Sequence, residues 1–241
     1  SGAHCTGFLK SNSPRVFQSY LGTMKDVTTL AHELGHAYHS WVMRDLPFAQ
    51  KDYPMTLAET ASIFSETLLA EQISAKADAA GKFGVAWENA ADAATLLLNI
   101  PFRFEFEKSL HEARAKGSLS PAELTEMTES AWSKWFGDRM TQPESRYWMT
   151  KMHFSIAGIS FYNYPYTFGY LFALGIYSQR EKLGAKFHQA YVDILRDTGR
   201  MSAEDLIQKH LGMDIRQKQF WLDSLKIVEL KVLEFEKMLS H

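Results

Sequence analysis

Residues 31–39 constrain the fold more than any other stretch, because they contain the pattern His-Glu-x-x-His in a segment with helical character. Residues four apart lie on one face of an α-helix, so His32 and His36 can direct both imidazole rings at a single point. Two imidazoles arranged in this way are typical ligands of zinc. Glu33 lies beside the same face, from which its carboxylate can reach a water molecule on the metal. The pattern therefore predicts a helix and, on that helix, a metal that activates water.

A pattern this short also occurs by chance, and the alternative is a pair of histidines on the polar face of an amphipathic helix. Gly35 bears on this choice, because glycine costs a helix about 1 kcal/mol relative to alanine. A glycine in the middle of the pattern is explained if another backbone or a substrate comes close to the helix there. We therefore expect a close neighbour at Gly35.

A tetrahedral zinc site needs a third ligand from the protein and leaves its fourth position to water. The helix predicted at residues 55–76 contains Glu59 and Glu66, whose spacing puts them on one helical face. Either carboxylate can face the metal while the other supports the site. Small residues around Glu59 would let this helix pack tightly against the first. The alternative is that both glutamates are solvated.

Composition excludes several classes of partner. The chain of 241 residues has a net charge of −2 and no strongly basic stretch, which argues against nucleic acid. No apolar run approaches the ~20 residues that span a membrane, and no signal peptide is visible. The single cysteine, Cys5, excludes an internal disulfide and favours a cytoplasmic location. The chain begins at Ser1 rather than Met, which leaves room for a natural N-terminus upstream.

The patterning of the whole chain predicts a mainly α fold with one β-hairpin within residues 1–22. An open strand edge in such a hairpin can pair with an extended substrate backbone, and a plain hairpin without that role is the alternative. Gly81 and Gly84 are expected to form a turn. Helices are expected at residues 25–43, 55–76, 85–116 with a kink or split at Pro101, 120–136, 145–151, 165–182, 184–196, 202–211 and 214–239.

Residues 153–180 are rich in tyrosine, which is unusual for a core because a buried phenol needs a hydrogen-bond partner. In a helix that begins near Pro165, Tyr166 and Tyr170 are four apart and share a face. Two phenol groups directed at a negatively charged oxygen on the metal would stabilise that charge. The alternative is an aromatic-rich core helix.

Three motifs, in this order, resemble a known family. They are His-Glu-Leu-Gly-His-Ala-Tyr-His at 32–39, Ala-Glu-Thr-Ala-Ser at 58–62, and Tyr-Asn-Tyr-Pro-Tyr-Thr-Phe-Gly-Tyr-Leu at 162–171. Together they are similar to the oligoendopeptidase F branch of the thimet-oligopeptidase-like zinc metallopeptidases. The resemblance implies a mainly α, gluzincin-type catalytic domain with a small sheet near the active site.

The resemblance also implies one Zn²⁺ per chain and particular residues around it. Thimet-type relatives carry a histidine where this chain has Tyr162, and His153 is the candidate that replaces it. Glu66 resembles a family glutamate behind the metal site, where a carboxylate orients a ligating histidine. The implied site residues are His32, His36 and Glu59 as zinc ligands, Glu33 as general base, and Tyr166, Tyr170 and His153 as groups that contact the substrate.

Members of this family are considerably longer, so the resemblance implies that residues 1–241 are the C-terminal part of a peptidase catalytic domain, with the upstream part as a partner. The expected function is that of a zinc-dependent endopeptidase that hydrolyses short peptides. One alternative is a zinc carboxypeptidase, for which Arg103, Arg146 and Arg180 are candidates to bind the substrate's C-terminal carboxylate. Another is a helical domain that binds zinc or a peptide without catalysis.

Overall fold

The computed structural model describes residues 2–8, 10–140, 142–156 and 158–240, and most of these residues are helical. The described residues contain one antiparallel pair of strands, so the predicted mainly α fold with a hairpin is confirmed. The chain divides into two compact units. The first unit comprises Ser1–Ala90 and Phe168–His241, and the second comprises Ala91–Thr167.

The hairpin opens the chain. Strand β1 (Ala3–Phe8) pairs antiparallel with strand β2 (Ser13–Gln18), in a register that places Cys5 opposite Val16. Both strands pack against the first helix, α1 (Met24–Val42). The hairpin therefore lies beside the helix that carries the His-Glu-x-x-His pattern.

Helix α1 begins with a capping box. The Thr23 hydroxyl accepts the Asp26 N–H at 3.2 Å, and the Asp26 carboxylate accepts the Thr23 N–H at 2.8 Å. The hydrogen bonds that the Asp26 carboxylate accepts from the Thr23 backbone N–H and from the Thr23 hydroxyl lower the pKa of Asp26. The cap fixes where the helix starts and therefore which of its residues share a face.

The helix predicted at residues 55–76 is divided in two. Helix α2 covers Met55–Ala58 and helix α3 covers Thr60–Lys76, and Glu59 lies between them with φ −84° and ψ 3°. The prediction of one continuous helix is therefore wrong, although Glu59 and Glu66 both face His32, at 3.3 and 2.6 Å, as their spacing predicted. Because the backbone leaves helical geometry at Glu59, this side chain is directed independently of the periodicity of α3.

The close neighbour expected at Gly35 is the backbone of α3. A Cβ atom added at Gly35 would lie 2.5 Å from both the Ala61 carbonyl oxygen and the Ser62 Cα. Any side chain would therefore force α1 and α3 apart. This close approach brings α3 beside the two histidines of α1.

Further helices follow in both units. The turn predicted at Gly81 and Gly84 is wrong, because both glycines lie inside a helix. A π-helical segment at Thr95–Asn99 precedes Pro101, which lies in the first turn of the next helix. Because Ala94, Asn99 and Ile100 all keep right-handed helical dihedral angles, the expected helix changes its hydrogen-bonding pattern before this proline and is not broken there. In chain order the helices are α4 (Ala79–Ala94), α5 (Ile100–Arg114), α6 (Pro121–Phe136), α7 (Tyr147–Thr150), α8 (Tyr164–Tyr177), α9 (Arg180–Leu183), α10 (Phe187–Asp197), α11 (Ala203–Leu211) and α12 (Lys218–Leu239).

Each unit has its own apolar core. The core of the first unit includes Phe64, Phe172, Ile194, Leu206 and Phe220. The core of the second unit includes Phe102, Phe106, Ala131, Trp132 and Tyr147. Phe104, which lies on another face of α5 from Phe102 and Phe106, is 37% exposed.

No helix within the described residues has the length and apolar character needed to cross a membrane.

Candidate metal centre

The described residues contain a group of side chains that could hold a metal ion: His32, His36 and Glu59. The Nε2 atoms of the two histidines lie 3.2 Å apart. Glu59 Oε2 lies 3.3 Å from Nε2 of His32 and 3.5 Å from Nε2 of His36. The structure thus brings together the three residues expected as metal ligands, each with one potential ligand atom near the same point.

These three atoms are spaced like the ligands of one ion. Nitrogen or oxygen atoms at about 2.1 Å from a tetrahedral zinc ion lie about 3.4 Å from one another. The observed spacings of 3.2, 3.3 and 3.5 Å agree with that value. Two imidazoles and a carboxylate form the donor set of catalytic zinc sites, although manganese and cobalt accept the same ligands. The residues present therefore fit a zinc ion.

Glu66 fixes the orientation of His32. His32 Nδ1 donates a hydrogen bond to Glu66 Oε1 at 2.6 Å, which assigns the proton of the neutral imidazole to Nδ1. Nε2 of His32 then carries a lone pair that faces Glu59 and His36. Lone pairs directed at one another repel unless a cation or a proton lies among them, so this arrangement favours metal binding.

The surroundings of the two histidines shift their pKa values in opposite directions. Burial lowers the pKa of His32, but the hydrogen bond to Glu66 and the charges of Glu66 and Glu59 outweigh burial and raise it above its ordinary value. Burial lowers the pKa of His36 despite the nearby charge of Glu59. His36 therefore stays neutral to a lower pH than His32, in the form that binds metal.

Glu33 lies among the metal ligands and the hairpin, with 7% of its surface exposed. Its carboxylate is close enough to the backbone amide of Cys5 and to the side chains of His32 and Glu59 for all three to influence its pKa. Burial raises the pKa of the Glu33 carboxyl, against the opposing effect of the His32 charge. A carboxylate with a raised pKa is better suited to take up and return a proton near neutral pH.

Helix α8 lies against Glu59. A Cβ atom added at Gly169 would lie 2.8 Å from Cβ of Glu59, so the two residues are in close contact. Tyr170 follows Gly169 on the same helix and is 6% exposed. Of the two predicted tyrosines, Tyr170 therefore lies in the same unit as the three candidate metal ligands. It directly follows Gly169, which contacts the candidate ligand Glu59.

The other predicted substrate-contacting residues, His153 and Tyr166, lie in the second unit. His153 Nδ1 is 2.8 Å from Oδ1 of the fully buried Asn163, and the His153 ring lies 4.6 Å from the Tyr162 ring. The Tyr166 ring lies 6.1 Å from the Tyr162 ring. Within this unit, His153, Tyr162 and Tyr166 are therefore grouped around Asn163.

Sequence reasoning missed two buried residues that hold this group, Asn163 and Glu107. Arg103 donates a hydrogen bond to Asn163 Oδ1 at 3.2 Å, and the Phe161 N–H donates one to Glu107 at 2.7 Å. Phe161 has a φ of 57°, a left-handed conformation that is rare for a bulky residue. Strained backbone of this kind persists where surrounding contacts hold it, often at functional sites. The asparagine within a tyrosine-rich run was the available signal in the sequence.

His39, the third histidine of the motif segment, has a structural role. Its Nε2 lies 3.0 Å from the Leu195 carbonyl oxygen and 2.9 Å from Thr198 Oγ1, and its ring stacks on Tyr53 at 4.3 Å. Complete burial lowers the pKa of His39 to about 4. His39 therefore joins α1 to the end of α10 as a neutral imidazole.

Comparison with known proteins finds one family across most of the chain. Residues 1–227 match the model of peptidase family M3. The chain is 28% identical over 247 residues to the chromosomal oligoendopeptidase F of Lactococcus lactis subsp. cremoris, in a match that covers 100% of this chain and 40% of that protein. It is 27% identical over 245 residues to oligopeptidase PepF of Bacillus subtilis, in a match that covers 99% of this chain and 36% of that protein.

The same likeness extends to solved structures. A crystal structure of a candidate peptidase from Chlamydophila abortus matches with a TM-score of 0.82 and 25% identity, over 99% of this chain and 40% of that one. The chain therefore spans about two fifths of the length of the relatives that it matches. These matches confirm the resemblance to the oligoendopeptidase F branch.

Proposed function

Because the chain belongs to peptidase family M3, we propose that it is the zinc-binding part of an endopeptidase that hydrolyses short peptides. The observation that carries the proposal is the convergence of His32, His36 and Glu59 on one point, at spacings of 3.2, 3.3 and 3.5 Å. Two matched relatives are named oligoendopeptidase F and oligopeptidase, which supports oligopeptides as the substrate class.

In this proposal, Glu33 transfers the proton during the reaction and Glu66 orients the metal ligand His32. A zinc ion held at the site would supply a Lewis acid and lower the pKa of a water molecule towards ~7. Glu33, buried beside the ligands, takes the proton from the attacking water and gives it to the leaving amine. Its raised pKa favours the protonated form that this second step requires. Glu66 holds the His32 ring in place through the bond to Nδ1.

Tyr166 and Tyr170 are proposed to donate hydrogen bonds to the oxygen that becomes negatively charged, and His153 is proposed to contact the substrate. Support for Tyr170 comes from its position directly after Gly169, which touches Glu59. Support for His153 comes from its bond to Asn163, which engages Nδ1 and leaves Nε2 for another partner. One well-placed donor to such an oxygen accelerates catalysis by about 10²-fold to 10³-fold.

We further propose that residues 1–241 form the C-terminal part of a longer catalytic domain. The chain covers 40% of the Lactococcus oligoendopeptidase F and 36% of the Bacillus oligopeptidase. The upstream part of such a domain would be the partner that completes the substrate site. The cytoplasmic location expected from the sequence stays a prediction.

The alternatives receive less support. A carboxypeptidase needs a cation for the substrate's terminal carboxylate, but Arg180 pairs with Glu71 at 2.6 Å and Arg103 is hydrogen-bonded to Asn163. Arg146 is exposed at the start of α7. A purely structural zinc site would have a fourth protein ligand, whereas the group found among the described residues has three.

The substitution Glu33→Gln tests the proposal when it is made in the complete catalytic domain, which comprises residues 1–241 and the proposed upstream part. We expect the variant to retain zinc, because no metal ligand changes, and to lose about 10³-fold in turnover of a peptide with a blocked C-terminus. Zinc content and cleavage are measured on the same samples. Glu88→Gln is the matched control, because this carboxylate pairs with Lys25 at 3.3 Å on the surface, and its activity should equal that of the parent.

Each outcome separates two of the functions. Near-normal turnover by Glu33→Gln would show that this carboxylate is not the base. Cleavage by the parent that requires a free C-terminus would identify a carboxypeptidase. Zinc binding without any hydrolysis in the complete chain would leave only the non-catalytic function.

A further inference from the structure

A buried hydroxyl holds the carboxylate of Glu59. Ser62 Oγ donates a hydrogen bond to Glu59 Oε2 at 2.6 Å and lies 3.1 Å from the Glu59 carbonyl oxygen. Ser62 is fully buried. A hydroxyl has one hydrogen to donate, and a carboxylate oxygen is a stronger acceptor than a carbonyl, so the bond to Oε2 dominates.

The oxygen that accepts this bond is the one that faces the histidines. Glu59 Oε2 lies 3.3 Å from Nε2 of His32 and 3.5 Å from Nε2 of His36. A carboxylate oxygen has two lone pairs, so the bond from Ser62 leaves one of them for a metal. The hydroxyl therefore determines the direction in which this oxygen can coordinate.

Glu59 needs such help because helical periodicity does not direct it. The residue lies between α2 and α3 with ψ at 3°, outside regular helix geometry. A glutamate side chain is also among those that lose most rotamer freedom when they are fixed. On the opposite side, a Cβ atom added at Gly169 would lie 2.8 Å from Glu59 Cβ and 3.5 Å from its Cγ. The stem of Glu59 is thus confined by Gly169 and its carboxylate is fixed by Ser62.

We propose that Ser62 and Gly169 are positioning residues that make Glu59 a ligand through one oxygen, directed between the two imidazoles. Ser62 acts on the carboxylate by hydrogen bonding, and Gly169 acts on the stem by its lack of a side chain. This inference rests on the proposed zinc site and specifies how its third ligand is held.

The first experiment measures zinc affinity of Ser62→Ala in the complete chain, by competition with a chromophoric chelator. We expect at least about tenfold weaker binding, as is typical when a residue that orients a ligand is removed. Thr67→Val is the matched control, because Thr67 is a buried hydroxyl of the same helix that donates only to the Ile63 carbonyl oxygen, at 2.9 Å. It should bind zinc within about twofold of the parent.

Two further measurements separate positioning from general stability. The unfolding temperature of the metal-free proteins should fall by similar amounts in Ser62→Ala and Thr67→Val, because each loses one buried hydroxyl. With Co²⁺ bound, the visible absorption of Ser62→Ala should differ from that of the parent, whereas Thr67→Val should not. Ser62→Thr, which keeps the donor, should recover most of the zinc affinity.

Gly169→Ala tests the other half of the proposal and decides it if Ser62→Ala does not fold. We expect at least tenfold weaker zinc binding, because the added methyl group displaces the stem of Glu59. Parent-like affinity in Ser62→Ala or in Gly169→Ala would overturn the role of that residue. Failure of the parent to bind zinc, or parent-like binding by His36→Ala, would instead overturn the proposed metal site and this inference with it.

Discussion

The two units hold their polar side chains in different ways. In the first, His32 and His36 project from a regular helix, and their position relative to α3 depends on close backbone contact at Gly35. In the second, His153 lies in a segment of short turns near Phe161, whose backbone is left-handed. Regular helices place groups by backbone spacing, whereas the turn places them through a network of side chains. We therefore expect the arrangement in the first unit to be disrupted by a substitution that adds a side chain at the helix contact. We expect the arrangement in the second unit to be disrupted by a substitution that removes one hydrogen-bond partner.

The largest effect is expected from Gly35→Ala, which tests the helical arrangement. The added Cβ would lie 2.5 Å from backbone atoms of Ala61 and Ser62, so α1 must move away from α3. We expect the free energy of unfolding to fall by about 3 kcal/mol and zinc affinity to fall with it. Urea unfolding of the metal-free protein measures the first quantity.

Gly84→Ala is the control for this comparison. Gly84 also lies inside a helix, α4, but a Cβ added there would have no atom within 4 Å. This variant should gain about 1 kcal/mol of stability, because alanine is the better helix former. Equal effects of the two substitutions would mean that contact between α1 and α3 does not depend on Gly35.

The next largest effect is expected when the pH is lowered, because His39 lies in a side-chain network of the first unit as a neutral imidazole. The pKa of His39 is about 4 in the folded protein and 6.5 in its ordinary state. Between these values the unfolded chain binds a proton that the folded protein does not, so stability should fall as the pH falls from 6.5 to 4. The loss amounts to about 3 kcal/mol.

Unfolding of the parent and of His39→Gln, both metal-free, measures this dependence across the same pH range. The variant should show a flatter profile because residue 39 no longer titrates. His36, whose pKa is also lowered, contributes a slope of the same sign in both proteins and therefore cancels in the comparison. The raised pKa of His32 affects stability above pH 6.5, outside this range. Parallel profiles would show that His39 is not buried as a neutral imidazole.

A smaller effect is expected from Asn163→Val, which removes a single partner from the second unit. Without the Asn163 oxygen, the donors on His153 and Arg103 lose an acceptor in a buried site. We expect a loss of about 2 kcal/mol in the free energy of unfolding. Thr128→Val is the control, because this buried hydroxyl bonds only to its own helix at Leu124 and should cost less. A larger loss from Thr128→Val would contradict the role of Asn163 as the shared hydrogen-bond partner in the second unit.

The same contrast explains what the sequence could predict. The spacing of His32 and His36 depends on residues within one helical turn, and the structure agrees with the sequence there. Such local patterns contain their own geometric information. The prediction of a turn at Gly84 was wrong because a glycine is tolerated inside a helix, at some cost in stability, when no other residue interrupts the helix.

Other features depend on contacts between distant parts of the chain. The break at Glu59 and its contact with Gly169 join residues that are far apart in sequence. The burial of Asn163 and the bond from Phe161 to Glu107 likewise arise only after the second unit has folded. Helical periodicity and turn propensities describe only residues that are close in sequence. They therefore could not have predicted these contacts.

The part of Cys5 that lowers the pKa of the Glu33 carboxyl is its main-chain amide. Every amino acid except proline carries the same N–H group. Proline is therefore the substitution at this strand position that would remove the interacting N–H group altogether.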